Sequence, residues 1–261
     1  MTILVKIGSA LISDGSRIRF PWLAQKVWEI AALHDEGHRF VIVSSGAVAA
    51  GMELQGITKR PREILDLQLL SGIGQVRLMT YYNDLFRERG IPVSQVLLTH
   101  HNFASERERE TITQILRAYV AQGVIPIINE NDMVDKEEFD SRTIFTENDT
   151  LTALVATNLV VDMVVLLTDV DGLFVSDPKA DDSVAFVDEV SRVTPEIRAM
   201  AGSAPGTLGL GGMPSKIEAA RKVSEAGMPA IIASGHYPLT DVVHNKVRAT
   251  RFRPVTETND G

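Results

Sequence analysis

The chain has 261 residues, 44% of them apolar and 23% charged, with 26 basic against 34 acidic side chains. A formal charge of −8 argues against a general nucleic-acid or anionic-membrane surface, so an anionic ligand would need a local positive site. The absence of cysteine excludes disulfides, thiolate metal centres and cysteine nucleophiles, and fits a cytoplasmic protein.

Taken in order, Ile3 to Ile7 reads as a first strand, interrupted by Lys6 and closed by Gly8-Ser9. This start is too short and too strand-like for a signal peptide. A lysine within a core strand either guards a sheet edge or aims its charge at a partner. Pro21 to Glu36 predicts a helix stopped by Gly37, and Arg39 to Val43 a second strand. Ser44-Ser45-Gly46-Ala47 then leads into a small-residue helix. Its amides would favour an anion, while its small side chains equally suit close backbone packing. Pro61 to Arg89 predicts a helix with a break at Ser71-Gly72-Ile73-Gly74, ended by Gly90, and Pro92 to Leu98 a third strand. His100 and His101 lack neighbours at ligand spacing and read as a polar loop. Glu106 to Ala121 predicts a charged amphipathic helix before Gly123.

Val124 to Asp132 runs from apolar residues into Asn-Glu-Asn-Asp, the pattern of a buried strand whose carboxyl end opens into a site. Asp135 to Thr146 reads as a loop or small hairpin over that site. A helix is expected from Thr150 to Leu159, with Asn148 or Asp149 either its N-cap or a site residue. Met163 to Leu167 predicts a buried strand ending in Thr168-Asp169. The apolar stretch from Leu154 to Leu167 is too short to span a bilayer. Leu173 to Val187 reads as a small hairpin around Asp177-Pro178. Gly202 to Gly212 is glycine-rich and is expected to be mobile. Pro214 to Ala226 predicts a helix with Pro214 near its first position and Lys216 in its first turn. A cation there opposes the helix dipole, so it is either solvated or held to meet an anion. Pro229 to Ala233 predicts a last strand, and residues 255–261 a disordered polar tail.

Strands alternating with helices imply an α/β fold with a mostly parallel sheet covered by helices. Polar or glycine clusters at several strand ends imply an extended site along one sheet edge. Glycine turns and two lysines suit phosphate binding, yet neither a Gly-x-x-x-x-Gly-Lys-Ser/Thr nor a Gly-x-Gly-x-x-Gly motif occurs.

Six motifs occur in order: Val5-Lys6-Ile7-Gly8-Ser9; Val43-Ser44-Ser45-Gly46-Ala47 with Ala49-Ala50-Gly51; Ile128-Asn129-Glu130-Asn131-Asp132; Asn148-Asp149-x-Leu151-x-Ala153; Leu167-Thr168-Asp169-x-Asp171-Gly172-Leu173; and Gly211-Gly212-Met213-x-x-Lys216. This set resembles the glutamate 5-kinase (γ-glutamyl kinase) family of the amino-acid kinase superfamily, in a form lacking the C-terminal RNA-modification-type (PUA) domain. The resemblance implies a three-layer αβα sandwich over residues 1–254, with an amino-acid lobe over about 1–160 and a nucleotide lobe over about 161–254. It implies ATP-dependent phosphorylation of the L-glutamate γ-carboxylate, the first step of proline synthesis.

Carried over residue by residue, the resemblance gives Lys6, Lys216 and Asp149 the catalytic work. The two lysines would neutralise the phosphoryl group and the aspartate would hold them. Ser45, Gly46, Ala47, Asp132 and Asn148 would bind glutamate. Lys6, Gly8, Ser9, Thr168, Asp169, Leu210, Gly211, Gly212, Met213 and Lys216 would bind the nucleotide. Mg²⁺ would ride on ATP phosphates and water rather than on a protein metal site. The resemblance further implies feedback by proline, a homo-oligomer (dimer or tetramer) and coupling to glutamyl-phosphate reductase. Departures from the family pattern fall at Glu147, Leu210, Pro214, the 133–146 loop and the segment from His100 to Thr113. Two rival readings are a catalytically weak sensor on the same fold and a kinase for another acid.

Overall fold

The computed structural model describes residues 1–134, 147–176, 184–201 and 212–255. In chain order these form β1 (Thr2–Ile7), α1 (Ser9–Ile12), α2 (Phe20–Asp35), β2 (Arg39–Ser44), α3 (Ala47–Gln55), α4 (Ile64–Arg87) and β3 (Val93–Leu98). A 3-10 turn (His100–Phe103), α5 (Glu106–Ala121), β4 (Ile125–Glu130), α6 (Glu147–Leu159), β5 (Met163–Thr168), β6 (Leu173–Phe174), β7 (Phe186–Val187) and β8 (Glu189–Val190) follow. The chain then adds α7 (Pro195–Ala201), α8 (Met213–Glu225), β9 (Ala230–Ser234), α9 (Leu239–Val243) and β10 (Thr250–Phe252).

Among the described residues the main sheet has the order β3-β4-β2-β1-β5-β9-β10-β8. The pairs from β3 through to β9 are all parallel, and β10 runs antiparallel to β9. The inner strands are buried on both faces, which is why they read as apolar runs without alternation. β6 and β7 pair antiparallel as the expected hairpin requires; Asp177-Pro178 lies outside the described residues.

Strand parity divides the core in two. Ile3, Val5 and Ile7 pack with Phe40, Ile42, Val165 and the inward faces of α2, α4 and α9. Leu4 packs with Val41, Val43, Val164, Leu166 and residues of α5, α6 and α8. Successive strand side chains point to opposite faces, so the sheet is a partition between two helical layers: a three-layer αβα sandwich. Lys6 shares the parity of Leu4 and therefore points toward α6 and α8. Sheet-edge protection does not describe it: β1 lies fourth in the sheet order and Lys6 is 2% exposed.

Two local expectations are corrected. Helix α4 runs unbroken through Ser71-Gly72-Ile73-Gly74. A Cβ on Gly74 would sit 1.8 Å from the Ala47 carbonyl oxygen, and one on Gly51 would sit 2.0 Å from that of Leu70. These two glycines let α3 and α4 touch backbone to backbone; they do not end the helix. Helix α6 begins at Glu147, earlier than expected, so Asn148 and Asp149 lie in its first turn and are not its caps. Sequence reasoning also missed α1, β8, α7, α9 and β10, which are short elements held by tertiary contacts. The 135–146 loop, the 202–211 segment and the tail from 256 lie outside the described residues.

Candidate active site

Parallel register brings the strand ends to one edge: Ile7 pairs with Ser44 on one side and Leu167 on the other, and Thr168 pairs with Ser234. The clusters after β1, β2, β4 and β5 therefore line one rim, together with a Ser234-Gly235 end of β9 that sequence reasoning did not single out. Gly235 N–H donates to the Thr168 carbonyl at 2.7 Å, tying the last two of these ends together.

At the centre of the rim, Asp149 lies between two lysines. Lys6 Nζ is 2.6 Å from Oδ1 and Lys216 Nζ is 3.5 Å from Oδ2, and all three side chains are buried. Three different elements deliver them: the end of β1 and the first turns of α6 and α8. The Ser215 hydroxyl donates to Asp149 Oδ2 at 2.5 Å, a partner sequence reasoning missed although it directly precedes Lys216. Burial pushes the Lys6 ammonium down to about 8; Asp149 pulls it up, and the charge of Lys216 pushes it further down. Burial alone would raise the Asp149 carboxyl. The charges of Lys216 and Lys6, with hydrogen bonds from Lys6 and Ser215, outweigh it and hold the carboxyl well below the usual range. Two lysines share one carboxylate, so these three side chains together sum to a positive charge that suits an anion.

Gly8 lies beside it: a Cβ there would sit 3.5 Å from Lys6 Nζ. Ser9 opens α1 immediately afterwards. Thr168 is buried and its hydroxyl donates to exposed Asp169 at 3.2 Å. Gly212 caps α8 and Met213 is the first residue of that helix. Leu210 and Gly211 lie outside the described residues.

The other end of the rim is built by β2, β4, α4 and α6. Asn148 Nδ2 donates to Ser45 Oγ at 3.1 Å and to Asn129 Oδ1 at 3.2 Å, while its own Oδ1 is buried without a partner. Gly46 is left-handed (φ 113°) and starts α3 at Ala47. Asp132, two residues past β4, is 5% exposed. Ser71 of α4 donates to its Oδ2, Gln68 donates to its backbone carbonyl at 2.8 Å, and its Oδ1 has no partner. The Ser44 hydroxyl donates to the Ser45 carbonyl at 2.8 Å, so the buried Tyr82 hydroxyl, also 2.8 Å away, is the donor to Ser44. Ser71 and Tyr82 carry no local signature of a site; only the packing of α4 over the strand ends discloses them. Asn129 sits in the Asn-Glu-Asn-Asp run and was legible there.

The sequence profile of the amino acid kinase family matches residues 1–234. The chain belongs to the amino acid kinase family. It is 42% identical over 237 residues to glutamate 5-kinase of Burkholderia multivorans, covering 90% of this chain and 63% of that protein. It is equally 42% identical to glutamate 5-kinase of Burkholderia thailandensis, covering 89% of this chain and 62% of the relative. The chain thus spans somewhat under two thirds of the length of these curated relatives. Among solved structures, carbamate kinase from Giardia lamblia bound to AMP-PNP superposes with a TM-score of 0.65 at 15% identity, covering 97% of this chain and 98% of its own. The T. acidophilum isopentenyl phosphate kinase product complex gives 0.64 at 18%, covering 97% and 100%. At these identities the two structures establish the shared fold.

Among the described residues no group of three or more His, Cys, Asp or Glu side chains is arranged to hold a metal ion, and the His100 and His101 rings touch at a 40° tilt, centroids 3.9 Å apart. No described helix is long and apolar enough to cross a membrane.

Proposed function

We propose that the chain transfers the γ-phosphoryl group of ATP to the γ-carboxylate of L-glutamate, giving L-glutamyl 5-phosphate and ADP. The observation that carries this reading is the buried Lys6–Asp149–Lys216 cluster, set beside an acceptor pocket with unpartnered oxygens on Asp132 and Asn148. The 42% identity to proteins named glutamate 5-kinase supports the choice of acid.

The chemistry asks little covalent help of the protein. A carboxylate oxygen attacks the γ-phosphorus, the bond to the β–γ bridging oxygen breaks, and no proton need be removed from the nucleophile. Lys6 and Lys216 neutralise charge on the transferring group from two sides. Asp149 keeps them apart and charged, and the Gly8 and Ser9 amides approach the same oxygens. Asp132 and Asn148 offer acceptors to the α-ammonium, with Ser45, Gly46 and Ala47 flanking them. Thr168, Asp169 and the 210–213 stretch leading into α8 take the nucleotide, so residues to about 160 serve the amino acid and those from about 161 to 254 the nucleotide. Asp149 is occupied by lysines, which leaves Mg²⁺ to the ATP phosphates and water. A cytoplasmic location, a homo-oligomer, feedback by proline and use of the acyl phosphate by a reductase accompany this reading on the resemblance alone.

Incubation with ATP, Mg²⁺, glutamate and hydroxylamine tests it: the acyl phosphate is trapped as glutamyl hydroxamate. No product despite bound ATP would favour a sensor on the same fold. Product from another acid but not from glutamate would overturn the substrate.

A further inference from the structure

Helix α4 carries one more buried polar group on the face that meets Asp132 and Ser44. Gln75 is 7% exposed, and neither its Nε2 nor its Oε1 has a hydrogen-bond partner. A buried amide left unsatisfied at both ends is costly, so a ligand is the natural partner to seek. Its position says which ligand. Ser71, Gln75, Leu78 and Tyr82 follow the i, i+4, i+7, i+11 row of a helix and share one face. Ser71 binds Asp132 beyond β4, and Tyr82 binds Ser44 at the end of β2. Gln75 lies between them, one turn from Ser71. Its neighbour Gly74 packs on Ala47, the first residue of α3. The row thus runs from Asp132 to Ser44, with Gln75 between them.

Resting on the proposed glutamate reading, we infer that Gln75 is a specificity-determining residue that binds the α-carboxylate of the amino-acid substrate through Nε2. Of the unpartnered buried atoms on Asp132, Asn148 and Gln75, three are oxygens and suit the N–H bonds of an α-ammonium; Gln75 Nε2 is the donor among them. An α-amino acid presents both groups on one carbon, and the carboxamide matches both: Nε2 donates to the carboxylate while Oε1 accepts from the ammonium. The γ-carboxylate is left to point toward Lys6 and Lys216.

The test is steady-state kinetics with hydroxamate detection on wild type, Gln75→Met and Gln75→Glu, together with ligand-free thermal unfolding. Gln75→Met should raise KM for glutamate by about 10- to 100-fold, the loss of one hydrogen bond to a charged group. It should leave KM for ATP and kcat within about threefold, on that same single-bond basis. Its ligand-free Tm should not fall, because the amide has no protein partner to lose. Gln75→Glu sets a negative charge against the α-carboxylate and should raise KM for glutamate further than Gln75→Met. An unchanged glutamate KM in an active Gln75→Met enzyme overturns this inference alone, as does a lowered ligand-free Tm with parallel rises in both KM values. A wild-type chain that makes no product from glutamate overturns the proposed function, and this inference with it.

Discussion

Lys6 and Lys216, 210 positions apart in the chain, meet the two oxygens of one carboxylate, Asp149, at 2.6 Å and 3.5 Å. The end of β1, which carries Lys6, and the first turns of α6 and α8, which carry Asp149 and Lys216, open onto the same rim. The charge of the cluster is therefore fixed by the fold before any substrate arrives.

Asp149→Asn should be the most damaging single change in this cluster. It removes the one carboxylate that both buried lysines reach, and breaking a buried pair by removing one partner costs about 3–5 kcal/mol. Urea unfolding should show a midpoint lowered accordingly at neutral pH.

Lys216→Ala should separate chemistry from binding. On the proposed mechanism Lys216 acts on the phosphoryl group and not on the amino acid. Losing one preorganised charge-stabilising group costs about 10²–10³ in kcat, with KM for glutamate nearly unchanged. Near-wild-type turnover would remove Lys216 from the reaction.

The pH profile follows from the two shifted groups. Lys6 titrates at about 8, so turnover should fall as pH rises through that value, with the alkaline limb lost or displaced in Lys6→Arg. Stability moves the other way. Above about 8 the native Lys6 sheds its proton while the unfolded lysine keeps it to its ordinary 10.5, so the unfolded state binds more protons and Lys6 contributes stability that rises with pH across that window. Asp149, held low in the native state, contributes stability that is present above the ordinary aspartate range and is lost as pH falls below it. Activity and unfolding measured on one sample from pH 3 to 10 should show these opposite trends.

The two glycines of α4 should respond differently to alanine. Gly74→Ala drives a methyl into the Ala47 carbonyl, and overpacking of this kind costs about 1–3 kcal/mol or more. Gly72→Ala meets only the flexible end of Met133 at 3.3 Å. It should be neutral or stabilising by up to about 1 kcal/mol from helix propensity. Thermal unfolding of the pair decides the point, and equal losses would contradict the backbone-contact explanation.

These glycines also mark where sequence reading stops. Ser71-Gly72-Ile73-Gly74 looks like a helix break because glycine is a poor helix former, and that is a local property. The reason for Gly74 lies on α3, which no local window contains. The short elements α7, α9 and β10 escaped for the same reason, since their stability comes from docking and their periodicity is too brief to register.

What the sequence by itself determined is the alternation of strand and helix, the apolar runs of the inner strands buried on both faces, and the polar residues waiting at the strand ends. Lys6, Asp132, Asn148, Asp149 and Lys216 were legible there as candidates, and the family resemblance gave them their expected roles. Only the tertiary structure decided their partners. Parity turned Lys6 toward α6 and α8, an early start to α6 put Asp149 between the lysines, and packing of α4 across β2 and β4 brought Ser71, Gln75 and Tyr82 to the acceptor end. The physical reason is that a side chain's chemistry is local, whereas its charge state and hydrogen-bond partners belong to whatever the fold buries beside it.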